Sequence, residues 1–241
     1  MVLDQKNKEE THSQTPSPLA FFSEHYAQYQ IARQQSRQPL AQDLQLGTYR
    51  SRLDFANQAL LPRIVPALQH LLTDQSAAPD LTIHLWDSRS TGVQSPPPPW
   101  KPQDLLPRGD IRGFSNSRIK SVYQLGADAL SLLDLQENRA IYWVQDAAKV
   151  PYYESAAPLR ALLNLWMRAH ERLLVHAAAV GRPRAGVLLA AKGGSGKSTA
   201  ALACLDSDLF FLGDDYCLLS PVRALRVHSL YCVAKPDAAD I

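Results

Sequence analysis

A glycine-rich segment lies between two apolar runs in the last third of the chain. Residues 192–199 are Lys-Gly-Gly-Ser-Gly-Lys-Ser-Thr; they follow the strand-like run 187–191 and precede the helix-like run 200–205. A strand, a glycine-rich loop, a Lys-Ser pair and a helix in this order are typical of a phosphate-binding P-loop. The segment therefore predicts an α/β unit in which this loop connects a strand to a helix.

Each residue type in segment 192–199 suits the binding of a nucleotide phosphate. Glycines lack the side chain that would block an anion, so successive backbone N–H groups can point at it. The helix N-terminus adds further donors. Lys197 can reach the β- and γ-phosphates, and the Ser198 hydroxyl can ligate Mg²⁺. We therefore expect ATP and Mg²⁺ as ligands, and the predicted nucleotide-binding residues are Gly193, Gly194, Ser195, Gly196, Lys197, Ser198 and Thr199.

One position departs from the strict P-loop pattern, which begins with a glycine. That position holds Ala191 here, and the remaining Gly-Lys-Ser triplet is a weak signal by itself. Three glycines within residues 193–196, with an apolar strand before them and a helix after them, favour a phosphate site. The alternative interpretation is an ordinary glycine-rich turn between a strand and a helix.

Two adjacent aspartates follow the next apolar run. Residues 209–213 have the pattern of a strand, and Asp214 and Asp215 come directly after it. Carboxylates at the end of a strand beside a P-loop can hold Mg²⁺ directly or through water. One of them can also accept the proton of an attacking hydroxyl. The alternative is an acidic surface turn, but the position soon after Lys197, with one strand between, favours the functional interpretation.

Three regions are predicted along the chain. Residues 1–19 are polar and contain two prolines, so we expect a disordered tail. Residues 20–156 contain strand-like runs with turn residues between them, which predicts a small, mostly β, α+β domain. Residues 157–241 hold the P-loop and form the second domain. Its first strands are predicted as a hairpin of residues 173–180 and 187–191, with turn residues between them.

Several elements of the upstream region are readable from their patterns. Residues 60–72 predict a helix with Pro66 in its first turn or at a kink, and residues 81–86 alternate like a strand. Residues 129–135 and 140–144 predict a hairpin, and the proline run 96–99 predicts a stiff connector, with an SH3-type ligand as the alternative. A helix is predicted to start at Pro158, with a buried stripe formed by Leu159, Leu162, Leu163, Trp166, His170 and Leu173.

Composition excludes several other classes of protein. The chain has 241 residues, of which 46% are hydrophobic and 20% charged, which is an ordinary globular mixture. The net charge of +2 argues against a dedicated nucleic-acid-binding protein. No apolar stretch is long enough for a membrane span, and the polar start does not resemble a secretory signal. The three cysteines form no CxxC pair, which is typical of reduced thiols, so we expect a cytoplasmic protein.

These motifs together resemble a known family. His176 with the alanines after it, the run 186–189, the loop 193–199 and the segment 213–215 are similar to the HPr kinase/phosphorylase-related P-loop kinases. The resemblance covers residues 173–219 and continues weakly through residues 230–235. The upstream region resembles that of the broader bacterial relatives rather than the N-terminal domain of the HPr kinases proper.

The resemblance implies a fold similar to phosphoenolpyruvate carboxykinase, with ATP and Mg²⁺ as partners and phosphate transfer to a hydroxyl of a protein serine or a small molecule. By position, Lys197 and the loop would hold the triphosphate, and Ser198 would ligate the metal. Asp214 would take the proton of the hydroxyl, with Asp215 as its acidic neighbour near the metal. His176 would lie under the loop and tune Asp214; the alternative is a structural histidine.

The chain departs from the family downstream of Asp215. Members carry a glutamate that binds metal and an arginine that contacts the phosphoryl group, followed by C-terminal helices. Few residues follow Asp215, and none matches that glutamate convincingly. Two alternatives to an active kinase therefore stay open: a regulatory module that binds ATP without turnover, and an incomplete kinase. HPr kinases are hexameric, so a homo-oligomer also stays open.

Overall fold

The computed structural model of the chain describes residues 16–75, 77–221 and 225–231. Most of the predicted tail, residues 1–15, and the segment after Tyr231 lie outside the described residues. Helix α1 (Pro18–Gln35) begins within the last residues of that predicted tail. The Ser17 side chain caps it by accepting a hydrogen bond from the N–H of Ala20 at 3.2 Å, as is typical of helix starts.

A mixed six-stranded sheet follows α1. Its strands are β1 (Leu40–Leu46), β2 (Tyr49–Phe55), β3 (Leu81–Asp87), β4 (Ile119–Gln124), β5 (Ala129–Asp134) and β6 (Arg139–Val144). They lie in the order β1-β2-β3-β6-β5-β4. The pairs β2–β3 and β3–β6 are parallel, and the other neighbours are antiparallel. The chain is therefore a mixed α and β protein, in agreement with the predicted class.

The structure confirms the predicted hairpin and the predicted strand in this sheet. Strands β5 and β6 pair with Leu132 opposite Ile141, and β3 covers the run predicted at residues 81–86. The helix predicted over residues 60–72 is divided into α2 (Leu61–Ile64) and a 3₁₀ helix, Pro66–Leu71. Pro66 starts the second piece because it lacks the N–H that a continuous α-helix would need.

Four further short helices lie around the sheet, and one longer helix follows them. The first three are α3 (Ser88–Thr91) and the 3₁₀ helices Pro102–Asp104 and Ala147–Lys149, and a fourth short helix, α4 (Tyr152–Ala156), follows them. Helix α5 (Arg160–Ala169) begins after Leu159, whose left-handed backbone stands at φ 59°. The prediction that Pro158 starts the helix was therefore wrong by two residues.

The apolar stripe of α5 is shorter than its pattern predicted. Its buried residues are Leu162, Leu163, Trp166 and Met167. His170 ends the helix and lies against the ring of Trp166, with ring centroids 4.1 Å apart. Its Nδ1 lies 2.8 Å from the carbonyl oxygen of Trp166, in agreement with a structural histidine at a helix end. Leu173 lies beyond the helix and is half exposed.

The remaining described elements are two three-stranded sheets, one α-helix and one short 3₁₀ helix. They are β7 (Leu173–Val175), β8 (Ala178–Arg182), β9 (Ala185–Leu189), α6 (Lys197–Ala203), the 3₁₀ helix Cys204–Asp206, β10 (Phe210–Gly213), β11 (Cys217–Ser220) and β12 (Arg226–Ser229). One sheet has the order β10-β8-β9 and the other β12-β11-β7. The single strand predicted over residues 173–180 is divided, because the chain passes from one sheet to the other between β7 and β8.

One apolar cluster joins the upstream sheet to the last described strands. It contains residues of the first sheet such as Leu53 and Ile83, residues of α5 such as Trp166, and Leu218 and Tyr231 from the C-terminal part. Tyr231 also donates a hydrogen bond from its hydroxyl to the carbonyl oxygen of Pro158 at 2.9 Å. Residues on both sides of the predicted domain boundary at residues 156 and 157 therefore share a core.

Two other predictions concern the described residues. Cys204 and Cys217 are free thiols, as expected, while Cys232 lies outside the described residues. No helix among the described residues combines the length and the apolar character needed to cross a membrane.

Candidate functional site

Three chain segments converge on one edge of the sheet β10-β8-β9. Strands β9 and β10 both run antiparallel to the central strand β8, so they are parallel to each other. Leu189 at the end of β9 pairs with Ala178, and Gly213 at the end of β10 pairs with Ala179. The P-loop segment after β9, the aspartates after β10 and His176 before β8 therefore leave the sheet at the same edge. Since neighbouring strands lie about 4.8 Å apart, the ends of β9 and β10 are about 10 Å apart.

The loop after β9 has the backbone that its glycines permit. Gly194 and Gly196 have φ of +73° and +84°, which is the left-handed region that other residues avoid. A Cβ built on Gly193, Gly194 or Gly196 would meet no heavy atom within 4 Å outside its chain neighbours. The space above the loop is therefore open to a ligand, and the glycines are the reason that no side chain occupies it.

The side chain of Lys197 folds back over this loop. Its Nζ donates hydrogen bonds to the carbonyl oxygens of Ala191 at 3.0 Å and Lys192 at 3.1 Å. These acceptors are backbone atoms, so the contact does not require a glycine at position 191. Ser198 is half-buried in the first turn of α6, and Thr199 beside it is exposed. The loop backbone thus holds the ammonium group of Lys197, and the hydroxyl of Ser198 belongs to the next residue along the chain.

The aspartate pair forms a tight turn after β10. Asp214 is 5% exposed, and its Oδ1 accepts a hydrogen bond from the N–H of Asp215 at 2.9 Å. Its carbonyl oxygen accepts another from the N–H of Tyr216 at 2.9 Å. Asp215 has a left-handed backbone with φ of 70°, which aspartate tolerates better than most residues. The turn buries the first carboxylate and leaves the second partly accessible.

Cys217 lies close to this turn. Its Sγ donates a hydrogen bond to the carbonyl oxygen of Ala177 at 3.3 Å. Burial, together with the nearby carboxylate of Asp214, raises the pKa of the Cys217 thiol to about 11. The thiol therefore stays protonated near neutral pH and serves as packing beside the aspartates rather than as a nucleophile.

His176 contacts the second aspartate. Its Nε2 lies 3.1 Å from Oδ1 of Asp215, and its ring stacks on Tyr216 with centroids 5.2 Å apart. The family resemblance instead implies a link between this histidine and Asp214. The difference arises because the turn after β10 presents the Asp215 side chain towards the segment between β7 and β8, while Asp214 is buried.

Two residues of this environment were not predicted from the sequence. The ring of Tyr216 stacks on His176. The guanidinium of Arg160 also lies over the Tyr216 ring, with its Cζ 5.3 Å from the ring centroid. The Nη1 of Arg160 donates a hydrogen bond to the Tyr216 hydroxyl at 3.1 Å. The position of Tyr216 directly after Asp215 was a usable signal, whereas nothing in the sequence spacing connects it with Arg160.

The predicted metal ligands are Ser198, Asp214 and Asp215. A hydroxyl and two carboxylates are oxygen donors of the class that Mg²⁺ prefers, and Mg²⁺ usually completes its shell with waters and substrate phosphates. Among residues 16–75, 77–221 and 225–231, no group of three or more His, Cys, Asp and Glu side chains is arranged to hold a metal ion. The three predicted ligands thus have the oxygen chemistry that suits Mg²⁺, but they do not by themselves form a complete metal site among the described residues.

Comparison of the chain with protein-family models and with curated proteins gives no match. A function must therefore be argued from the residues at this edge of the sheet and from their chemistry.

Proposed function

We propose that the protein is a Mg·ATP-dependent phosphotransferase of the HPr kinase-like type, which transfers the γ-phosphate to the hydroxyl of a protein serine or a small molecule. The observation that carries the proposal is the convergence of three segments at one sheet edge. Strand β9 delivers the glycine loop with Lys197, β10 delivers Asp214 and Asp215, and His176 precedes the strand between them. A phosphoenolpyruvate carboxykinase-like arrangement of the P-loop unit is part of the proposal.

In this proposal the glycine loop and Lys197 bind the phosphates. Phosphoryl transfer depends mostly on positioning and on neutralising charge on the phosphate oxygens. Without a ligand, two carbonyl oxygens of the loop segment already hold the ammonium group of Lys197. A phosphate oxygen is a stronger partner for this cation than a neutral carbonyl, so the side chain exchanges acceptors when ATP binds.

In the proposal both aspartates would bind the metal ion, and Asp214 is also the base. Asp214, buried and held by the N–H of Asp215, accepts the proton of the acceptor hydroxyl. Asp215, oriented by His176 at 3.1 Å, and Ser198 would hold Mg²⁺ together with Asp214. The magnesium ion, when bound, supplies positive charge that stabilises the phosphate oxygens. His176 is thus a positioning residue that acts through Asp215.

The proposal is tested by phosphate transfer from radiolabelled ATP to free serine and to a serine-containing peptide, with ATP hydrolysis followed in parallel. The variant is Asp214→Asn, and the matched control is Asp208→Asn, which changes an exposed aspartate that pairs with Arg182. We expect Asp214→Asn to lower the rate of transfer or hydrolysis by about 10²- to 10⁴-fold, the usual contribution of a general base. The affinity for ATP measured without Mg²⁺ should change little, because Asp214 does not belong to the phosphate-binding loop.

Two results would contradict the assigned role. If Asp214→Asn and Asp208→Asn had equal rates, Asp214 would not be the base. If the wild-type protein bound Mg·ATP tightly without transfer or hydrolysis, the alternative of a nucleotide-binding regulatory module would replace the kinase.

A further inference from the structure

A cavity of about 630 Å³ lies between the first sheet and helix α5, away from the glycine loop. Its lining residues come from the segment 107–110, from strand β4, from α5, and from Leu174 and Tyr216 of the C-terminal part. Ligand sites commonly have volumes of about 300–1,000 Å³ and occur where two parts of a protein meet. The cavity therefore has the size and the position of a small-molecule site.

Helix α5 presents its polar face to this cavity. Arg160, Asn164 and Arg168 all line it, and their spacing of four residues places them on one side of the helix. The opposite side carries the apolar stripe that packs in the core. Arg160 and Asn164 are half-buried in this wall of the cavity, and Arg168 is exposed at its rim.

A third arginine reaches the cavity from the segment 107–110. This segment is fixed to β4 by a hydrogen bond from the N–H of Tyr123 to the carbonyl oxygen of Gly109 at 2.8 Å. Gly109 has φ of +87°, and a Cβ at this position would lie 2.6 Å from the carbonyl oxygen of Tyr123. Glycine is therefore required for the close approach that places Arg108 on the cavity wall.

The carboxylates that line the cavity do not balance these arginines. Asp110 is the carboxylate among the lining residues that the structure describes. The buried carboxyl of Glu154 lies near Arg160 and is bonded to Gln124 Nε2 at 3.1 Å. Burial raises the pKa of Glu154 above its usual value, an effect that the Arg160 charge opposes. Three guanidinium groups thus face one lining carboxylate.

We propose that this cavity binds a small molecule that carries phosphate or carboxylate groups, with Arg108, Arg160 and Arg168 as its anion-binding residues. Guanidinium groups match the planar, two-point geometry of both oxyanions. Asn164 adds an amide that can donate to the rest of the ligand. The proposal does not depend on the phosphotransferase function, because no residue of the glycine loop lines the cavity.

The bound molecule would lie beside the candidate phosphotransfer site. Tyr216 lines the cavity and is the residue after Asp215. Its hydroxyl accepts the hydrogen bond from Arg160, and its ring stacks on His176. A ligand that binds Arg160 therefore touches the same stack that adjoins the His176–Asp215 pair.

The test is calorimetric titration with citrate and with inorganic phosphate, at constant ionic strength, in the full chain carrying Lys197→Ala. This background weakens the phosphate loop and leaves the cavity unchanged. The cavity variant adds Arg108→Gln and Arg168→Gln; neither guanidinium forms an ion pair with the residues that the structure describes, so folding should be retained. The control adds Arg37→Gln and Arg182→Gln, two exposed arginines outside the cavity.

We expect saturable binding of at least one of the two anions in the Lys197→Ala background and in the control. The Kd should rise about a hundredfold in the cavity variant, since each charge-assisted hydrogen bond contributes on the order of a tenfold change. Arg160→Gln, tested separately, should weaken binding as well. Equal affinity in the cavity variant and the control, or no saturable binding of either anion, would overturn the proposal. Anion binding that Lys197→Ala abolishes would assign it to the glycine loop instead and would also overturn it.

Discussion

The Nε2 of His176 lies 3.1 Å from the Oδ1 of Asp215, so the histidine that precedes β8 is joined to the second aspartate after β10. The two strands are neighbours in the sheet, and Gly213 pairs with Ala179 at this edge. The pair therefore forms where the two strands meet rather than within one local motif. His176 therefore contacts Asp215 and not Asp214, which is buried.

Replacement of His176 tests whether the pair positions Asp215 for metal. His176→Ala should raise the Mg²⁺ concentration needed for half-maximal transfer or hydrolysis by about ten- to a hundredfold, the usual effect of removing a partner that orients a metal ligand. His176→Gln should restore part of the affinity, because an amide can still donate to the carboxylate. The control His70→Ala also removes one side-chain hydrogen bond, to Ser229 at 2.7 Å, and should leave the Mg²⁺ dependence unchanged. An equal shift in both alanine variants would exclude a positioning role for His176.

Alanine substitutions at two loop glycines distinguish the effect of backbone strain from the effect of lost contact with the ligand. Gly196 has φ of +84°, so Gly196→Ala should lower the free energy of unfolding by about 1–2 kcal/mol. At Gly193 a Cβ meets no heavy atom within 4 Å, and Gly193→Ala should leave urea unfolding unchanged. It should nevertheless raise the Kd of Mg·ATP about tenfold, because the added methyl group occupies the space in which the phosphate binds. Unchanged ATP affinity in Gly193→Ala would mean that phosphate does not contact the loop there.

The ion pair of Arg118 with Asp134 predicts a loss of stability in acid. The Asp134 side chain is 2% exposed, and its Oδ2 lies 2.7 Å from Nη2 of Arg118. Burial alone would raise the pKa of Asp134, but Arg118 and the N–H groups of Gln136 and Glu137 outweigh it, so the pKa lies below its usual value. A depressed pKa stabilises the fold above the unfolded-state value of about 4, and this stabilisation is lost as pH falls through the folded-state value.

Urea unfolding between pH 7 and pH 3 measures this effect. The midpoint should fall as pH drops below about 4, and Asp134→Asn should reduce that fall while lowering stability at pH 7. Asp74→Asn, which changes an exposed aspartate, serves as the control and should retain the wild-type pH dependence. Identical pH dependence in Asp134→Asn and wild type would contradict the predicted contribution of Asp134.

Local patterns predicted the elements that depend on neighbouring residues. The hairpin β5–β6, the strand β3 and the strand–loop–helix around the glycines all follow from alternation, turn residues and glycine content. The order of the six strands does not, because β6 pairs with β3 across an intervening stretch that contains β4 and β5. Such pairing depends on tertiary packing, which no local pattern encodes.

The residues of the candidate site also include some that local sequence patterns predict and some that only tertiary packing brings together. The loop residues and the two aspartates were predictable, since each is placed by the strand directly before it. The partner of His176 was not, because the choice between Asp214 and Asp215 depends on the left-handed turn at Asp215 with φ of 70°. The stack of Arg160 on Tyr216 joins residues from α5 and from the turn after β10, and only the tertiary fold brings them together.

Nucleotide binding by the glycine loop underlies the whole proposed function, and calorimetric titration of Mg·ATP measures it. The proteins to compare are wild type, Lys197→Ala and the control Lys192→Ala. Both lysines lie in the loop segment, but Lys192 contributes its carbonyl oxygen rather than its side chain to the contact with Lys197. We predict that Lys197→Ala raises the Kd about ten- to a hundredfold, the effect of losing one charge-assisted contact, while Lys192→Ala resembles wild type. Equal affinity in all three proteins, or no binding of Mg·ATP by the wild type, would contradict the assignment of this loop as a phosphate site.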